Sequence, residues 1–567
     1  MVPRTPRIEP GRRGAVRPAA ATMILGYGGL RSRVRTVLEG WRGVAAVTLV
    51  LGATGAFAAA SGPGVGAVAP GTPIVAVRID RHDIYDLDDP ATSAWPYRWV
   101  DALHILTREE FIRSLLLFHV GDPLDPARLA ESELILRGTG FLNPVHISAR
   151  PVPGGAEVVV ETHDQWTTGV GIDFGISGNR RHSGGSISED NLLGMGKSLL
   201  LDVSSDPERT TTTFRYRDFT LLHSRWQLGL EHKKSSDGST DTFQLEYPFF
   251  AILTPRAGGV TWRREGLQEY LWSGGQRNVA GQANTRSFEV WGGLRLPGDG
   301  ILTNRLTVGV FGEQAIFRDW HRLGGSFYPQ PQDRDLLGVE VGWEHQTFNW
   351  RVVQGFRAWM RQEDLPLGPN WLVNAGISLP VFGGDRARLR YHAALTVGQM
   401  NGSTYSWLIA DLSGRLEQGG VANGVTHIEV GGALTGTAGW RARLAADLGY
   451  NLDGDRQLTL GADTGLRGWD PNTFDGTSRV VANLEWRRRI TGELLHVAAL
   501  GVTAFADGGK TLGARVGPST GGWRGDVGAG LLVEITRASV VRILRLEVAY
   551  PDRGQGPVFQ LTSDSLF

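Results

Sequence analysis

Through most of the chain, apolar and polar residues alternate one by one. Leu306, Val308 and Val310 fall on one face of an extended segment and Thr307, Gly309, Phe311 and Glu313 on the other. Val339, Val341 and Trp343 alternate with Glu340, Gly342 and Glu344; Phe214 and Tyr216 with Arg215 and Arg217; Leu544, Leu546, Val548 and Tyr550 with Arg545 and Glu547. A period of two belongs to a β-strand whose two faces meet different surroundings. A soluble sandwich alternates as well. The uninterrupted run of such segments beyond Gln165 favours a barrel in lipid instead, because each is about ten residues long, the length of a tilted membrane-crossing strand. Turns such as Ser235 to Thr240 and Gly298-Asp299-Gly300 separate them, and Trp226, Trp262, Trp291, Trp343 and Trp371 stand where an interfacial girdle forms. The pattern predicts a transmembrane antiparallel β-barrel over 165–567. Segmentation gives about twenty strands, and sixteen or more with the short pieces around Val352 to Met360 counted as loop.

Ahead of the barrel the period changes. Val75, Val77 and Ile79 alternate, predicting a strand. Thr107-Arg108-Glu109-Glu110 reads as a capping box opening a helix that carries Phe111, Leu115 and Phe118. Asp125-Pro126 opens a second helix, which carries Leu129 and Leu136 and stops at Gly138 or Gly140. Val145, Ile147 and Ala149, a Pro153-Gly154-Gly155 turn and Glu157 to Glu161 complete two further strands. A small α/β domain is expected over 74–164, joined to what precedes it by a Gly-, Pro- and Ala-rich linker over 61–73.

Residues 1–60 read as a secretory signal. Arg31, Arg33, Arg35 and Arg42 precede an apolar stretch from Val44 to Ala60 that ends in small residues, and Met23 is a second candidate start. No later run supplies the ~18 apolar residues of a spanning helix, so membrane association has to use strands.

Composition narrows the chemistry. Lys plus Arg (58) balances Asp plus Glu (58), which gives no basic face for nucleic acid. The absence of cysteine removes disulfides, thiolate metal sites and a cysteine nucleophile. The thirteen histidines show no ligand spacing, so no metal and no cofactor are expected. Gly517-Pro518-Ser519-Thr520-Gly521 has the letters of a nucleophile elbow but lies in a connection without a following helix. Gly194-Met195-Gly196-Lys197-Ser198 ends like a phosphate loop but has Asn191 in place of the first glycine. No catalytic residue is assigned, and the chain is not expected to be an enzyme.

The strongest local motif is Gly465-Leu466-Arg467-Gly468-Trp469, in a long connection with five alternating segments after it. Two glycines beside one arginine let the chain fold back, and the arginine can reach a carboxylate in the lumen. Glu485 and Asp507 both stand in the inward phase of the next two strands. An ordinary exposed turn arginine is the alternative. With Asn483-Leu484-Glu485-Trp486, Phe505-Ala506-Asp507-Gly508, Glu189-Asp190-Asn191-Leu192-Leu193-Gly194-Met195-Gly196 and Arg137-Gly138-Thr139-Gly140-Phe141, the chain resembles the bacterial surface antigen superfamily. These are the BamA- and TamA-like proteins, with POTRA domains before a sixteen-stranded barrel.

The resemblance implies that 74–164 is a POTRA-like periplasmic domain, that Leu466 to Trp469 is a plug loop and that Glu485 and Asp507 hold Arg467. It further implies an outer membrane location and partners drawn from outer-membrane lipid, unfolded outer-membrane or secreted clients, and periplasmic chaperones or lipoproteins. The chain departs from the family in having room for one POTRA-like unit, a long insert from Arg81 to Leu106, Trp469 in place of Phe or Tyr, and Ser563 and Ser565 before Phe567.

The barrel seam supplies a mechanism. Gly169, Gly171 and Gly175 weaken pairing and register in the first strand, and Ser563 and Ser565 soften the lipid face of the last, which ends at Phe567. A client strand could add to an opened edge there. The leading expectation is an assembly or insertion factor for outer-membrane proteins; the alternatives are a two-partner-type secretion translocator and a porin or structural surface antigen.

Overall fold

The computed structural model describes residues 68–177, 180–206, 208–298, 302–539, 543–554 and 556–563. The expected signal segment over 1–60, Met23, most of the expected linker, Asp299, Gly300, Ser565 and Phe567 lie outside the described residues.

The leading α/β unit runs β1 (Ile74–His82), α1 (Trp95–Leu103), α2 (Glu109–Leu115), α3 (Pro126–Arg137), β2 (Leu142–Val152) and β3 (Gly155–Asp164). Its sheet has the order β1-β3-β2, with β1 parallel and β2 antiparallel to β3. Alternation sorts β3 cleanly: Ala156, Val158, Val160, Thr162 and Asp164 are buried, while Glu157, Val159, Glu161 and His163 face outward. The inner face packs on Phe111, Ile112, Leu129 and Leu136. Asp125 caps α3 by accepting the Ala127 N–H at 2.9 Å, a contact worth about 1 kcal/mol, and Gly138 ends it.

Two local expectations are corrected. Thr107 does not cap α2; its N–H and hydroxyl both donate to the buried Asp164 carboxylate, at 2.8 and 2.7 Å, and the helix begins at Glu109 behind Arg108. The tertiary partner outcompetes the local one because Asp164 is buried and needs donors. The two predicted helices are joined by a third, within the long insert from Arg81 to Leu106. This is α1, a helix not predicted from the pattern, with Pro96 in its first turn and an apolar stripe of Trp95, Trp99 and Leu103 that stays exposed, none of its residues being buried.

The rest of the chain is a closed barrel of twenty strands in which every paired neighbour is antiparallel; the first strand, Thr168–Ser177, neighbours the last, Val558–Ser563. This meets the expectation of sixteen or more and exceeds the sixteen that the resemblance implies. The segment around Val352 to Met360 stays out of the wall: Trp350–Val353 pairs with Glu363–Pro366 as a separate ribbon. The alternation decides what each face meets. Val308 is 60 % exposed on the outside, while its neighbour in the sequence pattern, Phe311, is 1 % exposed in the lumen. Leu306, Val310, Val339, Val341, Leu484, Leu531 and Leu546 extend the outward apolar band around the wall. A contiguous band of this size on a closed sheet is the surface that a bilayer covers. Trp226, Trp262 and Trp343 lie on that outer surface, but Trp291 is buried inward beside Phe249 and Ala257 and is no girdle residue. Among the described residues no helix is long and apolar enough to cross a membrane.

The first six barrel strands have nine or ten residues, whereas Arg256–Ser273, Gln276–Arg295 and Leu302–Arg322 have 18, 20 and 21. About ten suffice to cross, so these three rise as a wall beyond the bilayer. The α/β unit is seated on the turns at the opposite end. Arg108 N–H donates to the Gly194 carbonyl at 2.9 Å, Arg225 to Leu116, Tyr97 to Leu495 and Arg537 to Ile84.

Glu131 of α3 reports on this seating. It lies under the turn 248–255 and accepts the Ile252 N–H at 2.6 Å. Burial pushes its carboxyl up to about 7, against the pull of that amide and of Arg305. The seated state therefore holds a proton that a released carboxyl would give up between its ordinary range and pH 7, and seating weakens as pH rises through about 7. Limited proteolysis should cut the α/β unit faster at alkaline than at mildly acidic pH, and Glu131→Gln should flatten the dependence; equal rates in the unaltered protein would contradict the linkage.

Candidate functional site: an arginine loop in a carboxylate cradle

The connection 451–477 leaves the fifteenth barrel strand, Ala438–Tyr450, and turns into the lumen before the sixteenth, Ser478–Arg489. Gly465 lets it turn: its φ of +114° is one that glycine adopts without strain. Gly468 is needed for a different reason, since a Cβ there would lie 2.6 Å from the Asp526 Cβ. Between them Leu466 is fully buried with Leu460, Trp469 and Val481, an apolar footing that holds the loop on the wall.

Arg467 is thereby delivered to inward side chains from successive strands. Its Nε and Nη2 donate to the two oxygens of Asp507 at 2.7 and 2.9 Å, and Nη1 donates to Glu485 at 2.9 Å. The Phe505 ring covers the guanidinium, with the central carbon 3.5 Å from the ring centroid. Asn483 braces the cradle, donating to Asp507 at 2.7 Å and to the Gly465 carbonyl at 2.8 Å. The structure thus brings together Arg467, Glu485 and Asp507. It adds Arg545 and Glu547: Arg545 donates to both Glu485 and Glu547, and Glu547 approaches Arg467 at 3.5 Å. Alternation places Arg545 and Glu547 in the inward phase, but nothing local marks which of the many inward charges meet one another.

The cradle reaches the seam. Gln560, on the last strand, donates from Nε2 to the Arg467 carbonyl at 2.7 Å. On the first strand Gly169 and Gly171 pair with Ser188 and Ser186, in the phase opposite to the outward Val170, and Gly175 pairs with His182. Ser563 pairs with Leu544 in the phase of the exposed Phe559. Ser565 and Phe567 lie outside the described residues. Among the described residues it is Gln560 that links the last strand to the arginine loop.

A second insert enters from the other end. Residues 348–367 carry the Trp350–Val353 and Glu363–Pro366 ribbon, and the stretch between lies against lumen-facing side chains. Trp359 and Met360 N–H groups donate to Glu534 at 2.8 and 2.9 Å, Arg487 donates to the carbonyls of Gly355, Phe356 and Arg357, and Phe356 packs on Tyr405 and Trp407. The α/β unit grips the same insert. Arg137 makes a two-pronged bond to Asp364, at 2.9 and 2.7 Å, Arg361 donates to the Gly140 carbonyl, and Asn143 donates to that of Gln362 at 3.0 Å.

With this geometry in view, comparison with known proteins gives little by sequence: no family model and no curated protein matches the chain. Among solved structures it is similar to BamA from Haemophilus ducreyi lacking POTRA domains 1–3, at 14% identity and a TM-score of 0.36, over 86% of this chain and 84% of that one. It is also similar to CdiB from Escherichia coli (15%, TM-score 0.42, 86% and 76% covered) and to CdiB from Acinetobacter baumannii (11%, TM-score 0.41, 86% and 73% covered).

The cradle is a mutual dependence. Taking away Arg467 leaves Asp507 without its two-pronged partner and Glu485 with one hydrogen-bonded arginine fewer, which costs about 3–5 kcal/mol for a buried pair broken from one side. Arg467→Ala should therefore free the loop, lower the temperature at which the unboiled barrel loses its compact gel mobility, and raise single-channel conductance. Arg467→Lys should give an intermediate loss, because an ammonium cannot bridge Asp507 and Glu485 with a fixed fork. Wild-type conductance and mobility in Arg467→Ala would remove the loop from the site.

Proposed function

We propose that the protein is an outer-membrane assembly or insertion factor of the bacterial surface antigen kind. In this reading 1–60 is a signal peptide, 61–73 a linker, 74–164 a POTRA-like periplasmic domain that receives unfolded clients, and 165–567 the barrel that hands them to the bilayer. The observation that carries it is the bond from Gln560 to the Arg467 carbonyl, which ties the lumen loop to a strand of the seam. Where the last strand moves as the seam parts, this bond draws the loop with it, so strand pairing at an opened edge is coupled to the arrangement of the lumen. Glycines on the first strand ease the parting, since they leave no side chains to interlock across it. No covalent step is required; the driving force is formation of the client's own backbone ladder in a medium without water.

One observation favours a second reading, a secretion translocator exporting a specific protein. The insert 348–367 occupies the lumen at the end of the α/β unit and is held from that unit by the Arg137–Asp364 pair. A client engaging the unit could pull the insert out and open a path through the barrel. Arg137→Ala should loosen the insert and raise conductance in planar bilayers without altering the Arg467 cradle; unchanged conductance would count against a removable plug.

Depletion followed by quantification of outer-membrane and secreted proteins separates the readings. Broad loss of other barrels supports insertion, loss of one secreted protein supports export, and loss of small-solute permeability alone would overturn both in favour of a porin.

A further inference from the structure

We propose that His82, Glu161 and His163 form a binding site for a divalent transition-metal ion, with zinc the best fit. The three residues belong to the α/β unit and take no part in the lumen chemistry. His82 lies on the edge strand β1 directly beside His163 on β3, and Glu161 precedes His163 by two residues, so all three project from the same, outward face of the sheet. The imidazoles stack with centroids 4.4 Å apart and an interplanar angle of 13°. One Glu161 oxygen lies 3.2 Å from His163 Nε2 and 3.8 Å from His82 Nε2, and the three ligand atoms fall within 4.8 Å of one another. Among the described residues no other group of His, Cys, Asp and Glu comes this close together in threes.

The donor set selects the ion. Zinc binds imidazole nitrogen and carboxylate oxygen at ~2.0–2.2 Å, which places tetrahedral ligand atoms about 3.3 Å apart. Stacked as they stand, the two rings do not point their lone pairs at a common point, so binding requires one imidazole to turn about its Cβ–Cγ bond, a rotation open to side chains that are half-exposed. Two imidazoles with a single carboxylate suit calcium and magnesium poorly, because those ions prefer sets made of oxygen. Three protein ligands leave the fourth position to water. The ion would join the edge strand to β3, the strand that continues through Trp166 into the barrel, where the Trp166 N–H donates to the Arg537 carbonyl at 2.7 Å. Its effect is to fasten the sheet where the α/β unit meets the barrel.

The test uses the full mature chain in detergent, stripped with a chelator and titrated separately with zinc chloride and cobalt chloride. One ion per chain, visible cobalt absorption of a site containing nitrogen ligands, and a rise in thermal midpoint with zinc are expected. His82→Ala, His163→Gln and Glu161→Gln should each weaken the affinity by about tenfold or more and abolish the zinc-dependent rise, while keeping the compact gel mobility of the unboiled barrel. Absence of uptake, or equal uptake by the unaltered chain and a His82→Ala/His163→Gln double variant, would overturn the assignment.

Discussion

Everything in this structure follows from the requirement that backbone N–H and C=O groups find partners where no water reaches them. In a bilayer an open sheet would leave its two edges unpaired at several kcal/mol per group, so the ladder has to close on itself. Closure turns the alternation of side chains into a division between two solvents. Leu306, Val308 and Val310 go to lipid, and Arg305 and Glu313 go with the opposite phase. Twenty strands enclose a lumen wide enough that its walls cannot fill it, and the chain fills it with its own connections.

Those connections enter an interior crowded with charge, which explains why arginines make so many of the decisive contacts. Arg467, Arg487 and Arg137 each present a flat fork of donors to acceptors fixed on a rigid frame: two carboxylates for the first, three backbone carbonyls for the second, one carboxylate on the ribbon for the third. A lysine could satisfy the charge but not the geometry. The two inserts therefore have different anchors. The loop 451–477 is held by strands near the seam, while the ribbon within 348–367 is shared between the wall and the α/β unit, so the α/β unit has a direct contact with one insert and the last strand with the other.

The parts of this arrangement legible in sequence are those set by short-range rules. Asp125-Pro126 opens α3 because an N-cap and a first-turn proline act within one turn of helix. Glu485 and Asp507 could be assigned to the lumen because a strand's phase fixes the side on which a residue stands. Short-range rules fail where a distant partner competes. Thr107 has the letters of a cap but gives its hydroxyl to Asp164, fifty-seven positions away. Trp291 has the position of a girdle residue but the inward phase. In α1 the apolar stripe of Trp95, Trp99 and Leu103 is only about two turns long and meets no core, so its pattern has no packing partner within the unit.

The sequence by itself determined the class of the fold and, within each unbroken stretch of strand, which residues share a face, since alternation is a property of neighbours along the chain until a bulge such as that at Leu271 and Trp272 interrupts it. Which residues meet was left to the tertiary structure. Ring closure places Gln560 against Arg467, the register of β1 on β3 stacks His82 upon His163, and the course of one long connection sets Asp364 before Arg137. Each of these pairings joins segments whose local patterns are complete without it. The physical reason is that strand order, register and the path of an insert are fixed by the sum of many weak contacts, and no single stretch of sequence carries that sum.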